Sequence, residues 1–178
     1  TPSPFAEVPA SSRGHHGTVS LMLSDAHWDE VIRQEQINYP NSYNREIATI
    51  RLAATVKRTI TIARDYINGI TYDGLILWLG GDLVSGNIHD ELSRTNDGQH
   101  MLDTIDFWSD QLASVICGLA DHFGKVHVPV VVGNHGRTSR KPEAKNAVRS
   151  NYDWLLARIV QRALKSDERI TWNISEAR

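Results

Sequence analysis

The stretch LILWLGGDLVSGNIH (75–89) opens with five apolar residues, then turns into Gly80-Gly81-Asp82 and a polar loop that ends in a histidine. A short continuous apolar run bounded by glycines reads as a strand buried in a sheet. A carboxylate at the end of such a strand is either a turn residue or a ligand for something bound there. The choice depends on whether other strands end in the same way.

Two of them do. Val19 to Leu23 is an apolar run ending in Ser24-Asp25-Ala26-His27, and Val126 to Val132 ends in Gly133-Asn134-His135. Amphipathic segments lie between the runs. From 45 to 68, Ile47, Ile50, Ala54, Ile60, Ala63 and Ile67 return at three- and four-residue steps or their sums, with Gly69 as the expected C-cap. Met101, Leu102, Ile105, Leu112, Val115, Ile116, Leu119 and Phe123 mark a second helical face. A third helix is expected from about Asn151 to Lys165, opened by SNYD (150–153), which has the Ser-x-x-acid form of a capping box. Ile170 to Ile174 reads as a fourth strand.

The order is βαβαβαβ. Short runs apolar on both faces, separated by helices, predict an α/β fold with a mostly parallel sheet covered by helices. Right-handed crossovers place every strand's C-terminal end on one edge, and ligands of such sheets bind beyond that edge. Asp25, His27, Asp82, Asn134 and His135 are therefore expected to converge. Oxygen and nitrogen donors without sulfur suit Mn, Fe, Zn or Mg. Crowded carboxylates repel each other unless a cation lies between them. Two cations about 3.5–4 Å apart need a bridging carboxylate and clamp a phosphate between them, a role for which the strand-end Asp82 is well placed. Taken singly, each motif is a turn, because Asp, Gly and Gly-Asn pairs build turns. Their order and their shared position at strand ends favour the metal site.

The totals limit the remaining classes. A chain of 178 residues suits one domain with a real core. A net charge of -2 excludes a global attraction to nucleic acid or membrane, so any such preference is local. Cys117 is the only cysteine, which excludes an internal disulfide framework and a thiolate zinc site. No apolar run reaches the length of a membrane span, the start of the chain has no signal-peptide pattern, and a cytoplasmic location is expected. Residues 1–17, TPSPFAEVPASSRGHHG, read as a linker ahead of a domain over 18–178.

Side chains near the expected edge supply substrate contacts. The loop GRTSRKPEAKNAVR (136–149) carries Arg137, Arg140, Lys141, Lys145 and Arg149 against Glu143. It is either a solvated basic loop or a positive field for a phosphate or polyanion, with Arg137 nearest the proposed phosphate position. His89 is either a substrate contact or a solvated loop histidine. Trp28, Tyr39 and Tyr43 either stack on a ring or pack their loop onto the domain.

The order D-x-H (DAH, 25–27), GD (GGD, 80–82) and GNH (GNH, 133–135) resembles the calcineurin-like metallophosphoesterases. VSGNIH and GNHGR look most like phage or bacterial members. The resemblance covers the order of elements from about 18 to 174 and is specific in those three patches. It implies the N-terminal half of a four-layer αββα sandwich, incomplete at its C-terminus, with two divalent metal ions. It implies that Asp25 and His27 bind the first metal, Asp82 bridges both and Asn134 binds the second. His135 then contacts the phosphate and assists the leaving group while a metal-bound hydroxide attacks phosphorus. A DNA exonuclease or phosphodiesterase and a small-molecule or protein phosphatase are the implied activities, and a non-catalytic protein-interaction scaffold of the same fold is the alternative. Two departures stand out. Gly136 replaces the acid that usually follows the GNH histidine, and no histidine follows His135. The C-terminal half of the domain is then needed to complete the metal site.

Overall fold

Why the chain folds as it does follows from the order of its strands. In the computed structural model, which describes residues 14–38, 40–88, 96–97, 100–142 and 145–176, β1 (His15–Leu23), β2 (Ile70–Leu79), β3 (Val126–Val130) and β4 (Ile170–Ile174) form one sheet. All the pairings are parallel and the spatial order is β1-β2-β3-β4. The crossovers contain α1 (Arg45–Thr61), α2 (Met101–Phe123) and α3 (Tyr152–Ala163). Each crossover steps sideways in the same direction. Right-handed connections then put every helix on the same face of the sheet.

Burial follows that geometry. In register, Val19, Leu75, Val126 and Ile170 form one row across the sheet, and Leu23, Leu79, Val130 and Ile174 form another. These rows point at Ala48 and Leu52 of α1, at Trp108, Leu112, Ile116 and Leu119 of α2, and at Leu156 and Val160 of α3. Alternate residues face the other way. On that side Thr18, Ser20, Thr171 and Asn173 are exposed, Met22 is 64% exposed and Trp78 is 40% exposed. Among the described residues, helices therefore cover one face of the sheet, not both as the apolar runs imply. The run at 75–79 misleads because Trp78 covers its own outer surface, donating from Nε1 to Ser20 Oγ at 3.0 Å.

Local boundaries differ at several places, four of which have a clear cause. β1 starts at His15, inside the segment read as a linker, because His15, His16 and Gly17 pair with Ile70, Thr71 and Tyr72. β2 starts at Ile70, five residues before the apolar run. Tyr72 ties this added part down, its hydroxyl donating to the Ala63 carbonyl at 3.2 Å and its ring meeting Phe123. α1 widens into a π-turn over Ile62–Tyr66 and is capped by Ile67, while Gly69, at φ 77°, serves the turn into β2. The N-cap of α3 is Asn151, not Ser150, and Asp153 has another use. Among the described residues no helix is long and apolar enough to cross a membrane.

Candidate functional site

The sheet does not stop at its named strands. Beyond Leu23 and Leu79 the two loops continue side by side. The N–H of Asp25 donates to the Gly81 carbonyl at 3.0 Å, that of His27 to Asp82 at 3.1 Å and that of Trp28 to Leu83 at 2.7 Å. Three residues of this zipped pair, Asp25, His27 and Asp82, sit in the left-handed region at φ 51°, 46° and 49°. Asp and His visit this region more than most residues, yet each such placement costs roughly 1–2 kcal/mol. Strain of this kind collects where a structure holds side chains for chemistry.

The third loop docks onto this pair. Asp82 Oδ1 accepts from the His135 N–H at 2.6 Å. The imidazoles of His27 and His135 meet edge to face, with centroids 4.4 Å apart. Gly133 is what allows the approach: a Cβ there would lie 2.1 Å from Asp82 Oδ1. His27, Asp82 and His135 are thus in mutual contact from three loops. Asp25 and Asn134 lie beside them on the same loops and are both exposed; the Asp25 carboxylate accepts from the Ser24 hydroxyl.

Sequence reasoning missed the group that holds the loops together. Asp153, at the start of α3, is fully buried. Its Oδ2 accepts from the N–H groups of Asp82 and Gly133, both at 3.0 Å, and its Oδ1 from Leu83 at 3.1 Å. Burial pushes its carboxyl above the usual range, against the opposing pull of these N–H groups. Asn151 adds a bond from Nδ2 to the Gly133 carbonyl at 2.9 Å. The pair also explains Gly136, where a Cβ would lie 2.5 Å from Asn151 Oδ1 and 3.1 Å from Asp153 Oδ2. There is no room for an acid at that position. His135 is oriented instead by the Ser85 carbonyl, 3.2 Å from Nδ1. A carbonyl only accepts, so Nδ1 is the donor of that bond.

A second buried acid fixes the first loop from behind. Asp29 accepts from Arg45 Nε at 2.8 Å and from Arg45 Nη2, from Thr104 Oγ1 at 2.7 Å and from Trp108 Nε1 at 2.9 Å. Burial alone would raise its pKa, but the bonds from Arg45, Thr104 and Trp108 outweigh it and hold the carboxyl below the usual range. Trp28 stacks on Trp108 with centroids 4.3 Å apart and planes 8° from parallel. Trp28 is therefore a packing residue, not a stacking platform. Tyr43 also packs the loop, its hydroxyl donating to the Ala26 carbonyl at 2.5 Å. Tyr39 and His89 lie outside the described residues.

The basic loop is partly tied down. Arg137 bridges to Asn151 and its Nε is buried with no hydrogen-bond partner among the described residues. Arg149 pairs with Glu176 at 2.9 Å.

As a cation site the edge is right in kind and short in number. His27 Nδ1 is buried and has no hydrogen-bond partner among the described residues, a state that a ligated nitrogen relieves. It stands with an Asp82 carboxylate, an exposed Asp25 and an exposed Asn134 amide, a donor set that suits hard or borderline divalent ions. Among the described residues no group of three or more His, Cys, Asp or Glu side chains is arranged to hold a metal ion. The donors therefore fit part of a coordination sphere. No family model, curated protein or solved structure matches this chain.

Proposed function

We propose that the chain is a calcineurin-like metallophosphoesterase of phage or bacterial type that hydrolyses phosphate esters with two divalent cations. The observation that carries the reading is the three-loop contact of His27, Asp82 and His135, made by residues far apart in sequence and typed for cation and phosphate chemistry. In this reading Asp25 and His27 would hold one cation, Asn134 the other, and Asp82 would serve both. When bound, the cations would supply charge neutralisation at the phosphoryl oxygens and a nucleophile competent at neutral pH. His135, fixed through Nδ1 to Ser85, would assist the leaving oxygen with its other ring nitrogen. Arg137 lies two residues further on and contacts the phosphate.

The finer fold belongs to the same proposal. The exposed sheet face, with Met22 and Trp78, is where the second sheet of an αββα sandwich packs. Such a second half would also supply further ligands, because the described donors fit only part of a coordination sphere. A cytoplasmic phosphodiesterase or nuclease is favoured over a phosphatase by the basic residues Arg140, Lys141 and Lys145 of the loop that begins at Gly136. Binding to single- and double-stranded DNA that weakens steeply with salt supports the polyanion, and salt-independent binding excludes it.

Elemental analysis of the full-length protein, purified with Mn2+ present, tests the reading. The expected result is bound metal and hydrolysis of an aryl phosphate ester, both lost in Asp82→Ala. A metal-free protein, or an Asp82→Ala variant with full activity, overturns it. The metal-free outcome would support a protein-interaction scaffold, a reading favoured by the open sheet face and by the incomplete ligand set among the described residues.

A further inference from the structure

Asp153 occupies the first turn of α3, where an acidic residue ordinarily serves the helix itself. Here that local duty falls to Asn151, whose Oδ1 accepts from the Asp153 N–H at 2.8 Å. Both oxygens of Asp153 are directed away from the helix. Oδ2 joins Asp82 to Gly133, and Oδ1 takes the next N–H, from Leu83. One carboxylate therefore spans the turn that carries Asp82 and the turn that leads to Asn134 and His135. Asn151 closes the same bracket, so that α3 holds Gly133 by both its N–H and its carbonyl. Asp82 sits at φ 49°, a conformation that lasts only where the surroundings impose it.

We propose that Asp153 is a positioning residue for the cation site, locking the Asp82 and Asn134 loops at one separation and so setting the affinity of the edge for divalent ions. The inference rests on the metallophosphoesterase reading above. Three backbone donors demand a group that only accepts. An amide in the same volume turns an NH2 toward N–H groups and breaks the bracket, so Asp153→Asn is nearly isosteric and chemically decisive. Groups that orient ligands in this way typically control affinity by about 10–100-fold.

The test is Mn2+ titration by calorimetry on the full-length wild type and three variants, with thermal unfolding and amide exchange measured on each. Asp153→Asn is expected to bind Mn2+ about 10–100-fold more weakly, with faster exchange at Asp82, Leu83 and Gly133. Asn151→Ser keeps an oxygen to cap α3 but loses the amide bond to Gly133, and is expected to bind a few-fold more weakly with a modest fall in melting temperature. Ala157→Gly lowers the melting temperature through α3 alone and is expected to leave affinity intact. Asp153→Asn binding within about twofold of wild type overturns the inference. So does an equal loss in Ala157→Gly, because stability alone would then explain the effect. If Asp153→Asn does not fold, Asn151→Ser decides: weakened binding supports the inference and unchanged binding overturns it. A wild type that binds no Mn2+ overturns the metal reading as well, whereas undiminished binding in the variants overturns this inference alone.

Discussion

His135 is held through its backbone by the Asp82 carboxylate and through its ring by Ser85, so its position does not depend on an acid at 136. His135→Ala is therefore expected to lower kcat by about 10²–10⁴-fold, while elemental analysis finds wild-type metal content. Tyr43 gives a spectroscopic handle on the same edge. Burial pushes its hydroxyl up to about 12, against the Arg51 charge. Below the ordinary tyrosine value, near 10, this group's contribution to stability is fully present, and it is lost as pH rises through about 12. A 295 nm titration is expected to show one late step near pH 12 that is missing in Tyr43→Phe. At this scale the sequence marks residues whose chemistry is unusual for their place, such as Asp82 after an apolar run. It does not mark Asp153, because an acid at a helix start looks locally complete and its true partners are backbone N–H groups. It does not mark Ser85 either, since only its carbonyl matters.

Among the elements, the loop after β1 is the one that local pattern could not decode. Its anchor is Asp29, whose partners come from α1 and α2, and no local signal joins an aspartate at 29 to Arg45, Thr104 and Trp108. The Arg45–Asp29 pair is largely shielded on the carboxylate side, at 1% exposure against 28% for Arg45. Asp29→Ala leaves Arg45 unpaired and the Trp108 N–H without an acceptor, and is expected to cost about 3–5 kcal/mol in urea unfolding. The helices and strands themselves were legible, the helices from a 3.6-residue period and the strands from the short apolar runs between them. Their ends were not. Tyr72 recruits five residues ahead of the apolar run into β2 through contacts with Ala63 and Phe123, neither close to it in sequence.

For the molecule as a whole, the parallel sheet and the shared edge could be read from the βαβ order, but the one-sidedness could not. It depends on which neighbour each strand chooses, and a run such as LILWL looks the same with one face covered or two. Acrylamide quenching makes the asymmetry measurable in this 178-residue chain. Trp28 and Trp108 are sealed in the core, whereas Trp78 stands on the open face. Trp78→Phe is expected to remove the most readily quenched emission, and no change in quenching would show that this face is covered. The sequential order of strands has a further consequence for how the protein is made. A nascent chain emerging N-terminus first can add each strand to the one synthesised just before it, and no strand has to be inserted between two already paired. Assembly can then follow translation, with β4 arriving last. The long outer rim of β1 is the first part formed and stays unsealed while the rest is built, so it is where nascent copies would be most prone to stick together.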